Sequence, residues 1–130
     1  MTDPIADLLI RIKNAFLSRH ESLEVPYSSL KERLAKLLVQ EGYLKKVEIL
    51  GQKPTEKKLK IELEYKGKRG AISDLRRVSK PGRRIYITVK KIPYVQGGRG
   101  MAVISTPKGL MSGQEARKKN LGGEFLCEIW

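Results

Sequence analysis

A single cysteine and a single histidine occur in this chain of 130 residues, with only two phenylalanines and one tryptophan. One cysteine cannot close an internal disulfide, which excludes the small secreted class stapled by such bridges. Structural zinc takes four Cys or His ligands, more than the chain holds. A membrane helix needs about 20 apolar residues in a row. The most apolar stretch, Ile5 to Ile10, is interrupted by Asp7. The N-terminus lacks a basic flank followed by an apolar run, so no signal peptide is expected. Acidic residues are also scarce, 14 against 27 Lys and Arg, leaving a formal charge of +13 and a pI near 10.0. A soluble protein of a reducing compartment is expected, with no membrane partner and no cofactor.

The charge is unevenly spread along the chain. Residues 1–65 carry 12 basic and 10 acidic side chains, and residues 66–130 carry 15 and 4, so the halves stand at +2 and +11. Solubility alone favours a net charge of about 2–8 with mixed signs. The second half exceeds that, which points to a polyanionic partner, nucleic acid first. A membrane-surface helix would need Trp or Phe on an apolar face opposite the cations, and no segment of the basic half reads that way.

Hydrophobic spacing predicts an α+β fold of two small lobes, an α-β-α-β-β lobe over residues 1–66 and a mostly β lobe with one short helix over 67–130. Thr2-Asp3-Pro4 opens a helix carrying Ile5, Leu8, Leu9, Ile12 and Phe16 at helical spacing. Leu23 and Val25 suggest a short edge strand. Ser29 and Glu32 read as a capping box, and Gly42 as the end of that helix. Tyr43 to Leu50 reads as a strand. Leu59, Ile61, Leu63 and Tyr65 alternate as a half-buried strand. In the second lobe, Pro81-Gly82 signals a type II turn, and Ile85, Ile87 and Val89 alternate as a strand. Met101 to Ser105 is a short apolar strand. Ser112 to Glu115 is a second capping box, and Phe125, Cys127 and Ile129 mark the last strand.

No catalytic or metal-binding residue is expected. Cys127 alternates with apolar neighbours and reads as a core thiol. His20 lies in a charged stretch, 107 positions away. Asp3 and Asp7 are ordinary acids of a first helical turn. Three clusters suit RNA or DNA. Lys80, Arg83 and Arg84 flank a tight turn, and Tyr86 after them offers either a stacking face or a core aromatic. Ser105, Thr106 and Lys108 place small hydroxyls and a cation where an RNA minor groove accepts them, or simply make a turn. Gly122-Gly123-Glu124 lets backbones approach closely. Its carboxylate can accept from a base amino group or pair with a nearby cation.

These segments resemble the S-eight family of bacterial small-ribosomal-subunit proteins. The motifs that carry the resemblance are Asp3-Pro-Ile-Ala-Asp7, Ser79-Lys-Pro-Gly-Arg83-Arg84, Gly100-Met-Ala-Val-Ile-Ser105-Thr106, Lys108-Gly109, Glu115-Ala-Arg117 and Gly122-Gly-Glu124, in family order. The resemblance implies a two-lobed, non-enzymatic constituent of the small subunit, ribosome-associated in the cytoplasm or an organelle. It implies direct binding to the central domain of small-subunit ribosomal RNA, mainly through the second lobe, with Lys80, Arg83, Arg84, Tyr86, Ser105, Thr106, Lys108, Gly123 and Glu124 as contacts. Neighbouring small-subunit proteins are further partners, and in some bacterial members so is the messenger RNA of their own operon. Two departures stand out. Pro107 replaces a serine usual in the family loop, removing a hydroxyl and a backbone donor. Ser112-Gly113 stands where Thr-Asp is common, which keeps the cap but not the acid. A free-standing basic module without a ribosomal role is the competing reading, and it would lose its RNA to excess transfer RNA where a specific binder would not.

Overall fold

The computed structural model describes residues 3–130; Thr2, expected to help open the first helix, lies outside the described residues. The chain has the expected α+β composition and forms two compact units, Pro4–Ile72 and Asp3 with Ser73–Trp130.

The first unit holds α1 (Pro4–Leu17), β1 (Ser22–Pro26), α2 (Ser29–Gln40), β2 (Leu44–Leu50) and β3 (Lys58–Leu63), with a two-stranded hairpin of β4 (Tyr65–Lys66) and β5 (Arg69–Gly70). The three longer strands form an antiparallel sheet in the order β1-β3-β2. Helical spacing buries Leu8, Leu9 and Ile12 of α1 and Leu34 and Leu38 of α2, and period-2 alternation buries Leu59, Ile61 and Leu63 of β3. Each such side chain contributes about 1.5–3 kcal/mol of transfer free energy. The cap of α2 falls one residue before the expected one. Ser28 accepts from the Lys31 N–H at 3.1 Å, and Ser29 is the first helical residue. Glu32 is engaged elsewhere, accepting from the Tyr27 hydroxyl and pairing with Lys36. Gly42 ends the helix at φ +84°, with Tyr43 N–H donating to the Leu38 carbonyl at 2.8 Å.

The division between units falls after Ile72, six residues later than the charge-based boundary. The β4–β5 hairpin stays with the first unit because Tyr65 stacks edge-on against Phe16 and Gly70 lies against the same ring. Lys66, Lys68 and Arg69 move with it. The first unit then carries 15 basic and 9 acidic residues (+6), and the second 12 and 5 (+7). Regional net charge therefore does not single out the second unit, whose distinction lies in arrangement.

That unit is built on β6 (Leu75–Arg77), β7 (Tyr86–Ile87), β8 (Met101–Thr106), β9 (Gly109–Ser112), α3 (Gly113–Lys118) and β10 (Gly123–Ile129). The sheet runs β6-β10-β8-β9, and β7 shares with β6 the same edge of β10. The strand expected through Val89 stops at Ile87. β10 begins at Gly123, opposite Ile87, so later residues have no ladder partner and turn into a 3-10 segment, Val89–Lys91. A bulge between Phe125 and Cys127 breaks the alternation and buries Leu126 beside both. Ser112 caps α3 as expected, accepting from the Glu115 N–H at 3.1 Å.

Candidate nucleic-acid interface

Register places Tyr86, Glu124 and Ser105 side by side. Glu124 faces Tyr86 on β7 and Ser105 on β8. Paired residues of antiparallel strands share a face, so the three side chains form one row across three strands, about 10 Å from end to end. The adjacent row, Phe125, Ile104 and Met111, is core. Tyr86 is 71% exposed, which settles it as a surface ring and not a core aromatic. The row borders a groove of about 510 Å³ that Ile87, Thr88, Pro107 and Gly122 also line.

The basic turn is fastened to this row. From Leu75 to Ile87 the chain follows the edge of β10, with Val78 donating to Leu126 and Phe125 donating to Ile85. Residues between leave the edge as a loop, closed at its tip by Lys80 and Arg83, whose backbones exchange two hydrogen bonds of 3.0 and 2.9 Å. Gly82 lacks the positive φ that a type II turn demands, so that expectation is corrected. Ser79 closes the neck. Fully buried, its hydroxyl donates to Glu124 Oε2 at 2.5 Å and accepts from the Ile85 N–H at 3.1 Å. Arg84 donates to the same Oε2 at 3.1 Å. Glu124 is thus the salt-bridge partner of one cation, yet Oε1 makes no contact within the chain and remains an acceptor. Ser79→Ala should cost about 1–3 kcal/mol, because it strands a buried N–H and frees the carboxylate. A melting curve reads this, and an unchanged midpoint would mean that the neck does not need the serine.

The two hydroxyls of the β8 end differ. Ser105 makes no side-chain hydrogen bond and points with the Tyr86–Glu124 row. Thr106, one residue on, points to the core side and is only 8% exposed. Its hydroxyl donates to the Gly109 carbonyl at 2.9 Å and accepts from the Lys108 N–H at 3.1 Å. The expectation of two exposed, equivalent hydroxyls is corrected: Thr106 holds the turn, and Ser105 is open. Pro107 and Lys108 are exposed at the tip. Gly123 serves strand packing, since a Cβ there would meet Ser105 O at 2.1 Å.

The groove gathers Tyr86, Ser105, Thr106, Gly123 and Glu124, while Lys80, Arg83, Arg84 and Lys108 sit on the loops beside it. Ser79 is the residue the sequence reading missed; its place two residues before Pro81 gave no sign of the bond to Glu124. Between Leu75 and Gln114 the sequence has nine Lys and Arg and no acid. Among the described residues, Lys80, Arg83 and Lys108 make no ion pair. Cys127 is fully buried, and desolvation pushes its thiol up to about 12, so it is no nucleophile at neutral pH. His20 is exposed. Among the described residues no helix is long and apolar enough to cross a membrane.

Residues 3–130 match the family described as Ribosomal protein S8. The chain belongs to that family. It is 50% identical to the small ribosomal subunit protein uS8 of Dictyoglomus turgidum, over all of this chain and 98% of the relative. Identity is 48% to the uS8 proteins of Mycoplasmopsis synoviae and Clostridium novyi, with the same coverage. As a member, the chain is a ribosomal protein and not an enzyme.

Proposed function

We propose that this protein is a structural constituent of the small ribosomal subunit that binds the central domain of its ribosomal RNA through the Tyr86–Glu124–Ser105 row. Lys80, Arg83 and Lys108 neutralise phosphates beside the row, and Arg84 holds Glu124. Tyr86 stacks on a base or sugar, Ser105 bonds a 2′-hydroxyl or base edge, and Glu124 Oε1 accepts from a base amino group. Gly123 brings the strands close enough for the row to form. The observation that carries this reading is the free acceptor and free hydroxyl, neighbours on one face, set between unpaired cations. A similar fold in the messenger RNA of its own operon would fit the same groove. Assembly beside other small-subunit proteins and location on cytoplasmic ribosomes follow from the same reading.

The test separates the two hydroxyls. Ser105→Ala should weaken binding to the ribosomal RNA by about 0.5–1.5 kcal/mol, with melting and transfer-RNA binding unchanged. Thr106→Val should instead lower the melting midpoint, since it leaves the Lys108 N–H without its acceptor. Filter binding with both RNAs and a melting curve for each variant read the outcome. Normal ribosomal RNA binding by Ser105→Ala would reduce the row to a surface feature.

A further inference from the structure

The first unit owes half of its +6 to three residues in a row of four, Lys66-Gly67-Lys68-Arg69. All four positions are exposed at the tip of the β4–β5 hairpin. Lys66 and Arg69 are direct cross-strand partners. Their Cβ atoms therefore lie about 5 Å apart on one face, an arrangement of like charges that works against the hairpin. A fourth cation joins them: Arg19 holds a left-handed backbone at φ 56° and donates from its guanidinium to the Lys68 carbonyl. Among the described residues, none of Arg19, Lys66, Lys68 and Arg69 is paired with an acid.

The hairpin base is nonetheless firmly fixed. Tyr65 Oη donates to the His20 carbonyl at 2.6 Å, and the Tyr65 ring meets Phe16 edge-on at 5.4 Å. Gly70 admits the Phe16 ring where a Cβ would stand 2.5 Å from it. Gly67 turns the chain at φ 65°. Base anchoring preorganises a tip that repels itself. Such a tip is relieved when an anion is shared between Lys66 and Arg69.

We infer that the β4–β5 hairpin, with Arg19, is a second RNA-binding site, gripping the phosphodiester backbone of a strand other than the one in the Tyr86 groove. The inference rests on the proposed RNA-binding function and adds a contact in the unit whose role that reading leaves open. The ligand is RNA backbone because the tip offers only cations: no exposed aromatic or apolar side chain is present at residues 66–69 for a base or a protein core to pack on. It reads phosphate position and not sequence.

The experiment uses the full chain and a transcript of the whole small-subunit ribosomal RNA. Lys66→Glu with Arg69→Glu should lower affinity about tenfold at physiological salt and reduce the slope of log K against log salt by about two. Lys45→Glu with Lys53→Glu, two exposed reversals elsewhere in the unit, should change affinity less than twofold. Lys66→Glu alone provides the second reading. It places opposite charges across the hairpin, so it should melt no lower than the parent while still binding more weakly. Hydroxyl-radical footprinting should show one protected backbone segment lost in the double variant and the segment lost in Ser105→Ala retained. Equal losses from the two double variants, or an unchanged footprint in Lys66→Glu/Arg69→Glu, would overturn the inference. An unchanged RNA affinity would do the same and leave the tip to an acidic protein. A parent protein that gives no footprint at all would instead sink the proposed function.

Discussion

Lys80→Glu with Arg83→Glu should weaken binding to small-subunit ribosomal RNA by on the order of a hundredfold at physiological salt. Both side chains are exposed at the tip of the loop that Ser79 pinches off beside Glu124, and neither has an acid to neutralise. Reversal removes two attractions and adds two repulsions at the same phosphates. The salt slope should fall by about two. Lys45→Glu with Lys53→Glu changes net charge by the same amount, so equal losses from both pairs would show that overall charge governs binding. Arg84 is left out of the test because it already holds Glu124 Oε2, and its reversal would push the carboxylate away. Folding should be unaffected, since the Lys80–Arg83 turn is closed by backbone bonds.

Elements whose cause is local could be read from the sequence. Leu8, Leu9 and Ile12 announce the buried stripe of α1, and Leu59, Ile61 and Leu63 the buried face of β3. Ser112 caps α3 because the pattern that signals a cap is contained in four residues. The errors all come from partners distant in the chain. Ile85 to Val89 has strand spacing throughout, but β10 reaches only to Ile87. Lys66, Lys68 and Arg69 follow the first unit because Phe16, some fifty residues earlier, holds their hairpin, and this moves three charges across the expected boundary. Thr106 is a different case. Ile104 is core, and simple alternation carries the next inward position to residue 106, so its burial was available from spacing alone. The attraction of two adjacent hydroxyls as a pair concealed it. For Glu124, both open readings describe one oxygen each. Oε2 is in the ion pair with Arg84, and Oε1 is the acceptor that is left over.

The largest effect on stability should come from Gly123→Ala. Glycine here is not required by φ, which is ordinary. It is required by space, because β10 is squeezed between β7 and β8 at the point where the binding row crosses it. A methyl group at 123 would stand 2.1 Å from the Ser105 carbonyl oxygen and 2.9 Å from its carbon, both backbone atoms. No rotamer change can relieve that contact, so β8 and β10 must separate. Overpacking a core costs about 1–3 kcal/mol when side chains can yield, and a clash with a strand backbone belongs at or above the upper end of that range. Binding should fall further than stability alone would dictate, because the same displacement moves Ser105 away from Glu124. A matched destabilisation gives the control. Cys127→Ala removes a fully buried thiol from the same strand, on the far side of the bulge. At temperatures where both variants remain folded, Cys127→Ala should bind the ribosomal RNA normally and Gly123→Ala should not. If Gly123→Ala melts and binds like the parent, the close approach of β8 and β10 at the row is not what the groove depends on.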